Sequence, residues 1–517
     1  MRPLPNLAPA ACVLLALACG PTPAPTPPPP PPPATGDVPY SLTLEAFSID
    51  GLPGLHSYAY AGTANQAVLL AGRTNGLHGF EPSRKAAEFP SFPTEYANNV
   101  IYLVDLTQRK LLGQATIDNL PKPYANQLQA SNTQYYLDGD WLYVAGGYGP
   151  DPSTGVMATL PLLTVIDFQA LVQTLSSGGA LDATFAGANM AMFQHPALAI
   201  TGGDVQLLGN QFLVVYGQRF DGVYTPGGGQ VSQEYSNSVR VFTVSTARGE
   251  SGLELAVTYQ GADPNSTSGM DPDNPYHRRD LNVAPAMSPS GQERIGVYGG
   301  VFKGGRMEGY EEPIYITADS LSQPLGLLIQ EDTAAHQLLS QYDCAQLQLY
   351  STSRQTMYST FFGGMSYYYW EESCSCLQHD TLDLNMGIDG LPFINSISTL
   401  QVTGAGTAQF LHTGATFPPA SAMPQCKAAD GTWVNADLLG SETKLILVPN
   451  LPLTTNGVLQ LDSIQETTVI GYLVGGIAST AAYGSTQGVT CASDQIYQLT
   501  LNPSQATSTV KLEAPVG

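Results

Sequence analysis

The chain has 517 residues and a formal net charge of −23, from 19 basic and 42 acidic side chains. Such an acidic surface repels phosphate backbones and argues against nucleic acid as a partner. With 53 glycines, 40 prolines and only 12% charged residues, the composition suits strands and turns, because exposed helix faces need more charged side chains. We therefore expect an all-β protein.

Residues 1–18 have the pattern of an export signal peptide. Arg2 is the only positive charge, and the apolar run after it is too short to span a bilayer. Residues 15–19, Leu-Ala-Leu-Ala-Cys, resemble the lipobox of bacterial lipoproteins, although Ala16 stands where that family prefers leucine. The resemblance implies a lipid anchor on Cys19, membrane contact through that anchor only, and an outer-membrane location. Plain secretion is the alternative.

Residues 19–37 connect this cysteine to the rest of the chain. They are nearly all proline, alanine and threonine, a composition typical of a stiff polyproline II spacer without a core of its own. A disordered leader is the alternative. We expect one folded domain over residues 38–517.

A hairpin of two apolar strands, the second ending at or beside glycine, returns six times in this domain. The pairs are 57–60 with 67–72, 135–137 with 142–147, 205–208 with 212–217, 281–287 with 295–300, 346–350 with 357–364, and the segment from 461 with 470–476. Third strands follow, for example at 100–105 and 163–167. This repetition predicts a β-propeller of about six four-stranded blades with long loops on one face.

The number of blades and the strand that closes the predicted propeller stay open. The gap of 112 residues before the last glycine end could hide a seventh blade near residues 444–449, although no hairpin ending in glycine is visible there. Ring closure needs a strand from one terminus beside strands from the other. Residues 40–47 and residues 509–512 both qualify.

The repeat resembles the Kelch motif, in which an apolar strand ends in two glycines and a later strand often ends near aspartate. Residues 146–147, 299–300, 363–364 and 475–476 match the glycine pair, and Asp105 and Asp167 match the aspartate, whereas Gly72 and Gly217 stand alone. The resemblance covers residues 38–517. It implies a Kelch-like, galactose-oxidase-type propeller and does not specify an activity.

In such a fold the long insertions meet on one rim, where binding residues usually lie. Arginine with aromatic side chains suits carboxylated sugars or peptide side chains. The rim candidates are Arg73, His78, Tyr148, Arg219, Tyr224, Arg306, Tyr310, Tyr367, Tyr368, Tyr369 and Trp370. The alternative is that long exposed loops are simply polar and tyrosine-rich.

The leading hypothesis is a binding or scaffold module for a protein or glycan. The rival is a carbohydrate-active enzyme similar to sugar mutarotases, using Arg73, Arg219, Arg306, Glu308, Glu311 and Glu312. A galactose-oxidase-like copper site is not expected, because the seven histidines show no spacing suited to metal ligands. We expect no cofactor and no metal.

Five cysteines follow Cys19, and none lies in the first four repeats. Because export permits disulfides, we expect two bridges and one remaining thiol among Cys344, Cys374, Cys376, Cys426 and Cys491. The connectivity stays open.

Overall fold

The computed structural model describes residues 36–79, 91–224, 231–263, 274–306, 308–319, 321, 325–379, 391–428, 430–483 and 489–515. The predicted signal peptide, Cys19 and nearly all of the proline-rich linker lie outside these residues. Within these ranges, no helix has the length and apolar character needed to cross a membrane.

Most described elements are strands of four-stranded antiparallel sheets. The first described strand, β1 (Ser41–Phe47), pairs with a strand near the C-terminus and is described with sheet 6 below. Sheet 1 consists of β2 (Ala59–Thr63), β3 (Gln66–Leu70), β4 (Val100–Asp105) and β5 (Lys110–Thr116). The first three of these strands were predicted from the sequence, at 57–60, 67–72 and 100–105.

Sheets 2 and 3 follow the same plan and share an inserted sheet. Sheet 2 consists of β6 (Gln134–Asp138), β7 (Trp141–Ala145), β10 (Leu162–Asp167) and β11 (Met190–Gln194). Sheet 3 consists of β12 (Asp204–Leu208), β13 (Gln211–Val215), β16 (Val239–Gly249) and β17 (Gly252–Ala262). Their insertions pair as β8 (Tyr148–Pro150), β9 (Met157–Thr159), β14 (Gln218–Asp221) and β15 (Ser232–Tyr235).

Sheets 4 and 5 continue the series. Sheet 4 consists of β18 (Arg279–Met287), β19 (Glu293–Val301), β20 (Ile314–Ala318) and β21 (Leu327–Glu331). Sheet 5 is built on β22 (Ala345–Ser351), β23 (Thr356–Phe362), β26 (Ser396–Thr403) and β27 (Gly406–Thr416), with β24 (Tyr368–Glu371) and β25 (Cys376–His379) as an inserted hairpin. This repetition of four-stranded sheets is consistent with a β-propeller.

Sheet 6 combines both ends of the domain. It consists of β30 (Lys444–Leu447), β32 (Thr468–Val474), β35 (Ile496–Asn502) and β1. The remaining strands are short: β28 (Gln425–Lys427), β29 (Trp433–Asn435), β31 (Leu459–Gln460), β33 (Ile477–Ser479), β34 (Thr490–Ala492) and β36 (Thr509–Lys511). Described α-helices are α1 (Lys122–Gln127), α2 (Phe168–Ser176) and α3 (Ala183–Asn189).

The two candidate closing segments occupy different sheets. Strand β1 pairs along its whole length with β35, from Ser41 opposite Asn502 to Phe47 opposite Ile496. Strand β36 instead pairs over three residues with β27 at the edge of sheet 5. The N-terminal strand therefore completes the last sheet, and the C-terminal strand extends the sheet before it.

The prediction that the first strand of the sixth repeat begins at residue 461 was wrong. Leu461–Ser463 forms a short 3-10 helix, and β30 takes the first position by pairing with β32 from Lys444 opposite Val474. The segment near residues 444–449 is thus part of the sixth repeat and not a seventh. Twenty residues separate β30 from β32 where the other repeats have a tight turn, so no hairpin signal was visible.

The core lies between the faces of successive sheets. Val68 and Leu70 of sheet 1 pack in one cluster with Leu142 and Val144 of sheet 2, which Phe168 of α2 joins. Equivalent clusters join sheets 2 and 3, sheets 3 and 4, sheets 5 and 6, and sheets 6 and 1. Because each sheet is covered on both faces, the second strands are apolar runs rather than alternating sequences.

The first strands of the six sheets contact one another in a fixed order. Strand β2 contacts β6, β6 contacts β12, β12 contacts β18, β18 contacts β22, and β22 contacts β30. Strand β30 in turn contacts β2.

Each second strand ends in a two-residue corner with left-handed backbone. The φ angle lies between 48° and 64° at the first corner residue and between 77° and 97° at the second. The corners are Ala71-Gly72, Gly146-Gly147, Tyr216-Gly217, Gly299-Gly300, Gly363-Gly364 and Gly475-Gly476. The two repeats that lack a first glycine therefore adopt the same bend with alanine and tyrosine, residues for which this conformation is uncommon.

The corners connect successive sheets through hydrogen bonds. The second corner residue donates its backbone N–H to a carbonyl in the segment that enters the next sheet, at 2.8 to 3.2 Å. These pairs are Gly72 to Ala130, Gly147 to Ile200, Gly217 to Arg278, Gly364 to Leu439, and Gly476 to Leu55. The last bond joins sheet 6 to the segment that enters sheet 1.

Two disulfides and one free thiol match the expected number. Cys374 bridges Cys376 within the β24–β25 hairpin, and Cys426 bridges Cys491 across 65 residues of sequence. Cys344 is the buried free thiol.

We expect Gly363→Ala and Gly475→Ala to lower the free energy of unfolding by similar amounts, about 2–4 kcal/mol each. A methyl group would overlap the carbonyl oxygen of Leu439 at the first position and of Leu55 at the second. Urea denaturation measures the effect. Gly404→Ala, in a turn where an added Cβ meets nothing within 4 Å, is the control. If Gly475→Ala is as harmless as Gly404→Ala, the junction between sheets 6 and 1 does not contribute to stability.

Candidate functional site

A central cavity of about 480 Å³ lies between the first strands of the six sheets. Its lining carries carboxylate, amide and ammonium groups, among them Gln134, Asp204, Asn282, Gln346 and Lys444. Each of these residues lies on a first strand. The repeat thus places polar groups from successive sheets around one space.

A smaller cavity of about 120 Å³, here called the mouth, adjoins the central cavity. Asn132, Asp280 and Asp343 line both. The mouth also includes Glu442 on the side of sheets 4 to 6. On the side of sheets 1 to 3 stand five aromatic side chains, here called the aromatic wall: His78, Phe92, Tyr148, Phe220 and Tyr224.

One repeated position supplies a residue from every sheet to the lining of one or both cavities. In each sheet, one residue of the first strand pairs with the last residue of the second strand before the glycine corner. The repeated position lies two residues before that first-strand residue. In sheets 1 to 6 this position is occupied by Ser57, Asn132, Gly202, Asp280, Asp343 and Glu442, here called the six-residue ring. All six have left-handed backbone, with φ between 43° and 62°.

Left-handed backbone at five non-glycine residues is informative. It costs roughly 1 kcal/mol or more for a residue with a Cβ, and such positions concentrate at ligand sites and switches. In this chain the bend turns each incoming segment into its first strand. The same bend repeated six times makes the ring a regular feature of the fold.

The carboxylates of the ring have specific neighbours. The Arg279 Nη1 lies 3.6 Å from the Asp280 Oδ2, and the Lys444 Nζ lies 3.3 Å from the Asp343 Oδ1. Burial raises the pKa of Asp280 to about 6, although Arg279 opposes the shift. Burial and then the Asp343 carboxylate hold the pKa of Glu442 well above the usual range, although Lys444 opposes them.

Asp204 and Lys444, each two residues further along its first strand than a ring residue, carry the next charged groups. Burial raises the pKa of Asp204 to about 7, against the Val205 N–H at 2.6 Å and the charge of Lys444. Burial disfavours the Lys444 ammonium, but the carboxylates of Asp343 and Glu442 reverse this effect and raise its pKa. One lysine thus serves several carboxyl groups, and two of them, Asp204 and Glu442, hold protons at pH values where exposed carboxyl groups are ionised.

The aromatic wall is held by ring-to-ring contacts. His78 stacks on Phe92 at 5.2 Å between centroids and meets the edge of Tyr224 at 4.7 Å. The Tyr148 hydroxyl donates to the Gly222 carbonyl at 2.6 Å, which ties β8 to the segment after β14. Burial lowers the pKa of His78 to about 4, so its imidazole is neutral at pH 7.

The predicted rim residues divide between the mouth and other places. His78, Tyr148 and Tyr224 meet in the mouth. Arg73 is 3% exposed, with its Nη2 donating to the Pro93 carbonyl at 2.6 Å and its guanidinium over the Phe92 ring, so it supports the aromatic wall from behind. Tyr310 is 1% exposed and donates to the His277 carbonyl at 2.7 Å, a role in the fold.

Arg219 and Arg306 belong to surface ion pairs. Arg219 lies 2.7 Å from Asp221 and Arg306 lies 2.7 Å from Glu308. Of the other residues suggested for an enzyme, Glu312 pairs with Lys303 at 3.0 Å. None of these lines the mouth or the central cavity.

The aromatic run from Tyr367 to Trp370 is partly buried in the β24–β25 hairpin. Tyr367 stacks on His379, and its hydroxyl lies 3.2 Å from the histidine Nδ1. Tyr368, Tyr369 and Trp370 pack against a cluster that contains Leu338, Leu377 and Leu411. These rings help to attach the hairpin to sheet 5.

Among the described residues, no group of three or more histidine, cysteine, aspartate or glutamate side chains has an arrangement that could hold a metal ion. No family model matches the chain, and no curated protein matches it. Among solved structures, the chain is similar to one titled "Structure of YjhT", with a TM-score of 0.41 and 9% identity. The similarity covers 88% of this chain and 99% of the other, and it carries no argument about function.

We expect Asp204→Asn to stabilise the protein relative to the natural chain as the pH rises from 4 to 8, by about 2 kcal/mol. A raised pKa means that the folded state holds the Asp204 proton more tightly, so its contribution to stability is full below about pH 4 and is lost by about pH 7. The asparagine variant lacks this loss. Partial exposure of the side chain keeps the effect below the full linkage value.

Urea denaturation at several pH values measures this difference. Asp138→Asn, at the exposed end of β6, is the control and should leave the pH profile unchanged. A constant difference between Asp204→Asn and the natural chain across this range would contradict the assignment.

Proposed function

We propose that the six sheets are blades of one closed β-propeller, and that its central cavity and mouth bind a glycan. The circular order of contacts among the first strands supports closure. So do the Gly476 to Leu55 hydrogen bond and the pairing of β1 with β35, each of which joins the two ends of the domain. Similar costs of Gly363→Ala and Gly475→Ala would agree with a closed ring.

The observation that carries the glycan proposal is the meeting of an aromatic wall and a polar cavity at shared residues. Sugars present apolar C–H faces that pack on aromatic rings, and hydroxyl groups that both donate and accept hydrogen bonds. Amides and carboxyl groups that hold protons can satisfy hydroxyls in both directions. A cavity of about 480 Å³ is also within the usual size for small-molecule sites.

The proposed binding site lies at the centre of the fold, whereas the sequence predicted it on the long loops. A protein partner at the loop-rich face is less well supported, because the aromatic run expected there packs against the hairpin cluster. A mono- or disaccharide suits the narrow mouth better than a folded surface does. We therefore favour a module that binds a short glycan or the end of a longer one.

We expect neutral disaccharides such as cellobiose and lactose to receive saturation transfer from the protein in difference NMR spectra. Phe92→Ala, which removes the central ring of the aromatic wall, should weaken binding about tenfold. Trp433→Ala removes an aromatic ring that is 63% exposed on the β29 strand and should leave binding unchanged. Absence of transfer to every disaccharide tested, or equal effects of the two variants, would overturn the proposal.

An enzyme that acts on sugars is the second candidate. The observation that favours it is the convergence of Asp204, Asp280 and Glu442 with raised pKa values, as expected of general acids and bases. The same NMR samples distinguish the two functions. A binding module leaves the sugar spectra and the rate of anomer interconversion unchanged, whereas an enzyme alters one of them.

We also propose that the protein is exported and held at the cell envelope by a lipid on Cys19. The signal-like residues 1–18 and the lipobox resemblance support this location. We expect the intact mass of the membrane-extracted protein to correspond to a chain that begins at Cys19 with two or three acyl chains added. A mass without lipid, from a protein that stays in the aqueous phase of a detergent partition, would contradict the anchor.

A further inference from the structure

The six-residue ring is chemically one-sided. Sheets 1 to 3 contribute Ser57, Asn132 and Gly202, which are neutral. Sheets 4 to 6 contribute three successive carboxylates, Asp280, Asp343 and Glu442. Because the position is the same in every repeat, the difference lies in the side chains alone. The ring thus has a neutral half that adjoins the aromatic wall and an acidic half opposite it.

The charges of the acidic half are not fully matched. Asp280 lies beside Arg279, and Asp343 lies beside Lys444, the two ion pairs noted above. Glu442 contacts Ser57, and its backbone N–H donates to the Asp343 carbonyl at 2.5 Å. Three carboxylates therefore share two contacting cations.

Glu442 provides an independent sign that a ligand group belongs here. The residue is 9% exposed and lines the mouth, and its Oε2 atom is buried without a hydrogen-bond partner. A buried polar atom without a partner destabilises the folded state, and more so when it is charged, so native proteins usually supply a partner. A ligand that enters the mouth with a hydrogen-bond donor would supply it.

We propose that Glu442, with Asp343 and Asp280, binds the ammonium group of an amino sugar. An ammonium group has three donors, and its positive charge favours the ionised, acceptor-only form of the carboxyl groups around it. The aromatic wall on the opposite side packs against the sugar ring and adds favourable contact for a cation. This inference rests on the proposed glycan function and names the class of glycan.

The arrangement also explains the two halves of the ring. A pyranose that carries one amino group places a cation at one edge and hydroxyl groups at the others. Ser57 and Asn132 can donate to and accept from those hydroxyl groups, and Gly202 makes room for the Asp280 carboxylate, whose Oδ1 a Cβ at this position would overlap. An acetylated amine would bring a bulky neutral group to the carboxylates and forfeit the charge-assisted hydrogen bonds.

Three β1,4-linked disaccharides that differ only at carbon 2 test the inference. These are cellobiose with hydroxyl groups, the glucosamine disaccharide with ammonium groups, and the N-acetylated form. Isothermal titration at pH 6.5 should show the ammonium disaccharide binding at least tenfold more tightly than the other two. Glu442→Gln should reduce this preference to within about twofold, mainly by weakening the binding of the ammonium disaccharide. Glu466→Gln, an exposed carboxylate of the loop before β32, should preserve it.

Each other outcome has a definite meaning. Equal affinity for cellobiose and the ammonium disaccharide leaves the glycan function in place and overturns the amino-sugar inference, as does a preference that survives Glu442→Gln. Failure of all three disaccharides to bind overturns both. If 2-aminoethanol competes at the same concentration as the ammonium disaccharide, the site binds the amine without the sugar ring. That result overturns the inference that the ligand is a sugar. Thermal unfolding checks that Glu442→Gln is folded, and Asp343→Asn replaces it if it is not.

Discussion

The left-handed corner at the end of each second strand is the constraint on which the rest of the structure depends. At five of the six corners, a backbone N–H thereby reaches the carbonyl of the next incoming segment, at 2.8 to 3.2 Å. These bonds are local in space but join separate sheets, and one of them joins the sixth sheet to the first. The apolar clusters between neighbouring sheets then cover strands that are buried on both faces. Glycine is favoured at the corners because a side chain at Gly363 or Gly475 would overlap that carbonyl.

The same geometry builds the candidate site. The segment that accepts the corner hydrogen bond bends again, at one residue of the six-residue ring, before it enters the first strand. The ring residue is therefore fixed by backbone on both sides rather than by loop packing. This rigidity allows carboxylates to be held close together in a narrow mouth, where burial disfavours their charge. Raised pKa values at Asp204, Asp280 and Glu442 are the electrostatic consequence.

The proposed function and the stability of the fold are in tension at this site. Buried carboxyl groups that share one lysine reduce the stability of the folded state as the pH rises. A structure selected only for stability would place apolar side chains between the first strands. The polar cavity, the unpaired Oε2 of Glu442 and the left-handed backbone at Ser57 and Glu442 are local departures of the kind that binding sites require. The insertions contribute the aromatic wall, whose rings are ordered by mutual contact.

The residues of the site could have been found in part from the sequence. Registering the repeats on their glycine corners identifies Asn132, Asp280 and Asp343 as equivalent. Glu442 and Lys444 were hidden, because the sixth repeat lacks a tight turn and its first strand was assigned to the segment from 461. Tyr310 and Arg73 were predicted as rim residues because they lie in or beside the long loops. Both are buried, and burial cannot be read from residue type alone. His78, Tyr148 and Tyr224 were found, because aromatic residues beside the glycine corners fall at the same edge of the sheets.

The all-β class, most of the strands of the six repeats and the number of disulfides could be predicted from the sequence. These follow from local patterns: apolar runs, turn residues and glycine at fixed spacing. Only the tertiary structure decided that β1 completes sheet 6, that β36 joins sheet 5, and that Cys426 bridges Cys491. It also decided which polar side chains share a cavity. Such pairings depend on contacts between residues hundreds of positions apart, and several partners have similar local sequence, so the packing of the whole domain selects among them.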